Sequence, residues 1–137
     1  MLGNRCSMYE WMNEPDNGGP SASAYAALWN QHIPKLRTIN PNAMFIGPVV
    51  ASPNLGYIQQ FLTLAKQAGN LPDVVSFHMY PCTDQSIGSC PVHASSYGPA
   101  TNKVRATVNA VVGSNLPLAI TEWNYSWKPN QTPQNDP

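Results

Sequence analysis

Four short apolar runs alternate with three amphipathic segments along this chain, and this alternation constrains the possible folds more than any other feature. The runs cover residues 6–12, 44–50, 74–80 and 118–122. Between them, apolar residues recur at steps of three and four, as on one face of a helix. Repeated strand–helix–strand units imply a parallel sheet with right-handed crossovers, either doubly wound or closed as a (β/α)8 barrel. No glycine-rich loop follows a strand, which disfavours a nucleotide-binding doubly wound fold.

Residues at the ends of these segments predict where the elements begin and end. The first helix is expected to start after Ser21 or Ser23, because a serine hydroxyl can cap the amino end. Pro34 lies inside that helix and predicts a kink or a split near Gln31, since proline removes one helical hydrogen bond and crowds the preceding turn. A long loop, about residues 82–98, is expected before the third helix.

Composition excludes several classes of partner. The 137 residues carry seven basic and seven acidic side chains, so no charge excess favours nucleic acid as a partner. No apolar run approaches the roughly 18 residues that would cross a bilayer, so no membrane partner is expected. Fourteen prolines, with many asparagines and serines, suggest a secreted, extracellular protein, although the chain shows no signal-peptide core.

The three cysteines leave the redox state open. Cys82 and Cys90 bracket a polar segment and could close a small disulfide loop, or they could remain free thiols. Cys6 is expected to be buried as a small apolar residue. There is no Cys-x-x-Cys pair, so no zinc site or other metal centre is predicted.

Two of the three glutamates stand where predicted strands end. Glu14 follows the first strand and Glu122 ends the fourth, while Glu10 lies within the first strand. Parallel α/β proteins place their chemistry at the carboxyl ends of strands. A pair of carboxylates there is the minimum equipment for glycoside hydrolysis, in which one protonates the leaving oxygen and the other attacks the anomeric carbon. The acid would need a pKa raised by burial or by its ionised neighbour.

Other side chains at the same ends could bind a sugar. His78 and Tyr80 are two residues apart on the third strand and therefore point the same way. Trp123 and Trp127 offer flat apolar faces that suit the C–H faces of pyranoses. Each of these four also has a purely structural interpretation, as a packing residue in the core or beneath the site.

Three segments resemble the clan A glycoside hydrolases. Glu10-Trp11-Met12-Asn13-Glu14-Pro15 is similar to the Asn-Glu-Pro strand end of that clan, close to the Glu-x-Trp-Asn-Glu-Pro pattern of family 39 and also to family 5. Ile120-Thr121-Glu122-Trp123-Asn124 resembles the nucleophile strand. His78-Met79-Tyr80 resembles the His-x-Tyr of the preceding strand. The three matches occur in the order and at the spacing that a barrel requires.

The resemblance implies a role for each matching residue. Glu14 would be the general acid/base and Glu122 the nucleophile of a retaining double displacement on β-linked sugars. Asn13 would donate to the sugar 2-hydroxyl. Tyr80 would hydrogen-bond the nucleophile, and His78 would line the cleft. The substrate would be an oligo- or polysaccharide, and no metal or organic cofactor would be needed.

The resemblance also implies that the chain is incomplete. A (β/α)8 barrel normally takes about 250 residues, and the four strands here would be its fourth to seventh. We therefore expect a partial barrel over residues 1–123 and a Pro/Asn-rich tail over 124–137, from a fragment or truncated gene product with doubtful activity of its own. Open sheet edges predict self-association or an unstable fold. The alternative function is a catalytically dead carbohydrate-binding or assembly module.

Overall fold

A computed structural model describes residues 7–81, 96–124 and 126–127 of the chain. The described elements alternate as predicted. In chain order they are β1 (Met8–Glu10), α1 (Ala22–Ile39), β2 (Met44–Val50), α2 (Leu55–Gln67), β3 (Val74–Met79), α3 (Tyr97–Val112) and β4 (Leu118–Trp123). The strands form one sheet in the order β1-β2-β3-β4, with every neighbouring pair parallel.

Two expected boundaries differ from the structure. The first strand ends at Glu10, because Met12 adopts a positive φ of 66° that extended backbone cannot accommodate. The first helix is not split near Gln31: α1 runs through Pro34 to Ile39 as one helix. Packing keeps it whole, since Trp29 and Ile33, on the two sides of Gln31, are both fully buried. The predicted cap at Ser21 is confirmed, with its Oγ accepting from Ala24 N.

The hydrophobic core lies between the sheet and its helices. Aromatic rings of α1 and α2 fill it, with the Trp29 and Phe61 centroids 5.3 Å apart and nearly perpendicular. The buried Trp29 indole donates to Asn70 O at 2.8 Å, so its polar atom is satisfied. Gly47 of β2 allows α1 to approach closely, since a Cβ there would lie 2.9 Å from the Trp29 ring. This packing fixes the position of the strand ends.

The sheet contains two register shifts, and both lie at its carboxyl edge. In β2 the pairing moves from Pro48↔Ser76 to Val50↔Phe77, so Val49 is an extra residue. In β4 it moves from Phe77↔Ile120 to His78↔Glu122, which makes Thr121 the extra residue. Such bulges re-aim the side chains that follow them.

Some sequence expectations fall on the residues that the structure leaves undescribed. Cys6, Cys82 and Cys90 lie outside the described residues, as does most of the predicted 124–137 tail. The boundary at residue 123 therefore stays a prediction. Within the described ranges, none of the helices has the length and apolar character needed to cross a membrane.

Replacing Gly47 by alanine tests the close contact between α1 and β2. The new Cβ would collide with the buried Trp29 ring and approach the Tyr25 hydroxyl at 3.1 Å. Overpacking of this kind should lower the free energy of unfolding by about 1–3 kcal/mol in urea denaturation. The matched control is Gly56→Ala in α2, where the nearest atom is 3.9 Å away. That change should be neutral or stabilise by up to about 1 kcal/mol; equal effects of the two substitutions would contradict the packing described.

Candidate active site

A cleft of about 830 Å³ opens at the carboxyl edge of the sheet. This volume lies within the range of small-molecule sites in proteins. The residues that line it lie at the carboxyl ends of β3 and β4 or in the segments that follow the four strands: Asn13, Glu14, Asp16, Asn17, Ala51, Ser52, Pro53, Met79, Tyr80, Pro81, Glu122 and Trp127. Every described strand therefore contributes to one cleft, whose lining is both polar and apolar.

The backbone at Glu14 is strained, and a hydrogen bond to β2 holds it in place. Its φ is 44°, and its N–H donates to Val49 O at 3.0 Å. Val49, the extra residue of β2, itself has a φ of 59°. A non-glycine residue in this region costs of order 1–3 kcal/mol, and a β-branched one is a genuine outlier. Strain of this kind is concentrated at functional sites, where surrounding contacts hold it.

Glu122 reaches the cleft because of the register shift in β4. With Thr121 as an extra residue, Glu122 pairs with His78. Paired residues of neighbouring strands point to the same face, so both face away from the helices. Without the shift, Glu122 would pair with Met79, a member of the helix-facing core. The Tyr80 hydroxyl then donates to Glu122 Oε2 at 3.1 Å.

His78 lies between the two carboxylates. Its ring is fully buried, and its Nδ1 is 2.9 Å from Glu14 Oε1 and 3.5 Å from Glu122 Oε2. Because an ionised carboxylate can only accept, Nδ1 is the donor in this contact. The opposite nitrogen, Nε2, is buried with no hydrogen-bond partner among the described residues. His78 therefore directs its Nδ1–H at the carboxylates.

The two carboxylates approach each other closely. One oxygen of Glu14 and one of Glu122 lie within 4.8 Å, with His78 Nδ1 within the same distance of both. The side chains of Glu14 and Glu122 are 23% and 44% exposed, so both reach the solvent of the cleft. The two carboxylate oxygens and the imidazole nitrogen could also act as ligands of a divalent ion. The hydrogen bond from His78 already explains why Glu14 lies close to the imidazole.

The site sets the pKa of two groups in definite directions. The hydrogen bond from His78 lowers the pKa of Glu14, despite the opposing effect of burial, and Asn17 Nδ2 donates to Glu14 Oε2 at 3.1 Å. A general acid needs a raised pKa, so the direction found for Glu14 is opposite to the one expected from its role. Burial, then the bond to Glu122, raises the pKa of Tyr80, which keeps its proton for donation.

The structure brings most of the predicted residues together. Glu14, Glu122, Asn13, Tyr80 and Trp127 line the cleft, and His78, the sixth, lies beneath the carboxylates.

Trp123 is placed differently from the other predicted binding residues. It is not among the cleft-lining residues and is 69% exposed. Trp123 pairs with Met79, and successive strand residues point to opposite faces, so Trp123 cannot share the direction of Glu122. Its role in binding stays a prediction.

Sequence reasoning did not single out three polar residues that line the cleft. Asn17 bonds Glu14 directly, Asp16 follows the Asn-Glu-Pro segment, and Ser52 lies after β2. Asp16 and Asn17 could have been found, because they continue the turn that carries Glu14. Ser52 carried no such signal, since its place in the cleft depends on the parallel pairing of β1 with β2.

Comparison with known proteins identifies the family. The sequence profile of the family described as "Cellulase (glycosyl hydrolase family 5)" matches residues 4–136. The chain belongs to this family. The resemblance to clan A glycoside hydrolases is thereby confirmed. No curated protein matches the sequence.

Solved glycoside hydrolases share the fold of this family 5 chain. A GH39 β-xylosidase from Caulobacter crescentus is 25% identical with a TM-score of 0.69, over 89% of this chain and 25% of its own. The GH39 enzyme from Xanthomonas axonopodis pv. citri is 23% identical with a TM-score of 0.69, over 89% of this chain and 26% of its own. A Paenibacillus polymyxa xyloglucanase from family 44 is 16% identical with a TM-score of 0.66, over 88% and 36%.

These likenesses confirm the predicted partial (β/α)8 barrel of four parallel strands. The family 5 chain spans only about a quarter of the length of the two family 39 structures.

The lowered pKa of Glu14 makes stability depend on pH in a definite direction. A carboxyl group whose pKa is depressed in the folded state stabilises the fold above the ordinary value of 4.5, and that stabilisation is lost as the pH falls through the folded pKa. Glu14→Gln should therefore cost more free energy of unfolding at about pH 7 than at about pH 3, as measured by urea denaturation.

The control for this prediction removes the donor. In a His78→Phe background the main cause of the lowered pKa is absent, so the cost of Glu14→Gln should vary much less with pH. A cost that is independent of pH with His78 present would contradict the ionised hydrogen bond.

Proposed function

We propose that this chain supplies the catalytic carboxylates of a retaining glycoside hydrolase that acts on β-linked sugars. The observation that carries the proposal is that one carboxylate oxygen of Glu14 lies within 4.8 Å of one of Glu122 in the same cleft. Retaining enzymes hold their two carboxyl groups about 5–5.5 Å apart, whereas inverting enzymes leave about 6.5–9.5 Å for a water molecule. Membership of family 5 supports the same class of reaction.

In the proposed first step, Glu122 attacks the anomeric carbon while Glu14 protonates the leaving oxygen. The bond between the sugar and the leaving group breaks, and a glycosyl ester forms on Glu122. The Tyr80 hydroxyl, which donates to Glu122 Oε2, would hold that carboxylate in its attacking orientation. In the second step, Glu14 takes a proton from water, and the resulting hydroxide displaces Glu122 with net retention.

The lowered pKa of Glu14 suits the second step and must be reversed for the first. A sugar bound over the carboxylates would exclude water and raise the pKa of Glu14 through desolvation, next to the negative charge of Glu122. Once the ester forms, Glu122 carries no charge. That loss of charge would favour the ionised form of Glu14, which is the form that a general base requires.

We propose an oligo- or polysaccharide substrate and an extracellular location. The cleft of about 830 Å³ has a lining that is both polar and apolar, and Asn13 and Trp127 lie in it beside the carboxylates. Proteins of similar fold include a β-xylosidase and a xyloglucanase. The proline-rich, sparsely charged composition suits secretion.

The short span of the chain relative to solved structures supports a second candidate. A piece with a quarter of a glycosidase's length could bind sugar without turning it over. Calorimetric titration with oligosaccharides would then show binding without product. Among the described strands, β1 pairs only with β2 and β4 only with β3. Self-association through these outer edges stays a prediction, which light scattering would check.

Replacing Glu122 by alanine tests the proposed nucleophile. Without that carboxylate no glycosyl ester can form, so kcat for an aryl β-glycoside should fall by at least about 10³-fold. The matched control is Glu10→Ala, the exposed third glutamate on β1, which should leave turnover within about threefold of its original value. Activity of Glu122→Ala within tenfold of the unsubstituted protein would show that Glu122 is not the nucleophile.

A further inference from the structure

The turn that carries Glu14 is attached to the segment after β2 by a single carboxylate. Asp16 Oδ1 accepts from Ala51 N at 2.8 Å, and Asp16 Oδ2 accepts from Asn54 Nδ2 at 2.9 Å. Both oxygens are therefore used within the protein. Asn54 is also the amino-terminal cap of α2, since its Oδ1 accepts from Tyr57 N at 3.1 Å. Asp16 thus connects the turn to both the end of β2 and the start of α2.

The hydrogen bonds of Asp16 lie next to the backbone hydrogen bond between Glu14 and Val49. Glu14 N donates to Val49 O, and both residues have positive φ. Asp16 lies two residues beyond Glu14, and Ala51 lies two residues beyond Val49. The Glu14–Val49 and Asp16–Ala51 hydrogen bonds therefore connect the same two segments, one after the other. Because its acceptor is a charged carboxylate, the Asp16–Ala51 hydrogen bond is stronger than one between two neutral groups.

A third hydrogen bond holds the same segment further along the chain. The Tyr57 hydroxyl of α2 donates to Pro20 O at 3.0 Å. Burial, with the negative charge of Asp16 as a second cause, raises the pKa of Tyr57 to about 12, so the hydroxyl keeps its proton. The turn is held at Glu14, Asp16 and Pro20, and Asp16 is the central point.

We propose that Asp16 is a positioning residue that fixes the carboxylate of Glu14 against His78. It acts through the backbone, because its two oxygens bond Ala51 and Asn54 and neither bonds Glu14 or His78 in the described contacts. This inference deepens the proposed function, since the residue being positioned is the proposed acid/base. Its geometric part can nevertheless be tested without turnover.

The measurement is the pKa of the Glu14 carboxyl group, followed by carbon-13 NMR in the full 137-residue chain without substrate. Removal of Asp16 has two opposite effects. Loss of a nearby negative charge by itself would lower the pKa of Glu14. Loss of positioning would weaken the His78 hydrogen bond and raise the pKa toward its ordinary value. The sign of the change therefore separates the two roles.

Two substitutions are informative at this position. Asp16→Ala removes both acceptors. Asp16→Asn keeps the volume but offers one acceptor and one donor, so either Ala51 N–H or the Asn54 amide faces another donor. We expect the pKa of Glu14 to rise in both variants. The matched control is Asp73→Asn, because Asp73 also accepts a neighbouring strand's N–H, from Phe45 at 2.7 Å, and lies before β3 at the opposite edge. That variant should leave the pKa of Glu14 unchanged.

A pKa of Glu14 that falls or stays constant in Asp16→Asn would overturn the proposal. Loss of the fold in that variant would also overturn it, because Asp16 would then contribute to stability in general. In an active protein, Asp16→Asn should also slow glycosides with poor leaving groups by about 10- to 100-fold, and activated aryl glycosides by much less, because only the former need the acid. Absence of turnover in the unsubstituted protein would count against the proposed function alone and leave the pKa result standing.

Discussion

One extra residue in each of two strands decides where the acidic side chains of this protein point. Thr121 shifts the register of β4 so that Glu122 shares a face with His78. Val49 shifts the register of β2 and presents its carbonyl to Glu14 N. β3 lies between these two strands and carries His78 at its end. With either shift removed, one carboxylate would lose its place beside the imidazole.

The site concentrates features that an ordinary fold avoids. Three non-glycine residues with positive φ, Met12, Glu14 and Val49, lie on the two segments that meet at Glu14. The buried His78 leaves Nε2 without a partner among the described residues, and Ser76, on the same face of β3, has a buried hydroxyl in the same state. The tightly packed core of Trp29 and its neighbours on the other side of the sheet supplies the stability that offsets these costs.

The sequence predicted the elements well because their patterns are local. Periodicity located the strands and helices, and the position of Glu14 and Glu122 at strand ends brought the pair to one edge. Periodicity did not reveal the two register shifts, because a β-branched residue such as Val49 in the left-handed region contradicts its own local preference.

The remaining differences have the same long-range origin. The direction of the Glu14 pKa depends on His78, 64 positions away in the sequence. The placement of Trp123 outside the cleft depends on the strand alternation that follows the shift in β4.

Covalent trapping of the glycosyl ester would identify the nucleophile. An activated 2-deoxy-2-fluoro β-glycoside forms a long-lived ester with a retaining nucleophile, because the fluorine destabilises the positively charged transition state of the second step. Mass spectrometry after proteolysis should then find the sugar on the peptide that contains Glu122. A label on Glu14 or on Glu10 instead, in a protein that turns over the parent glycoside, would contradict the account.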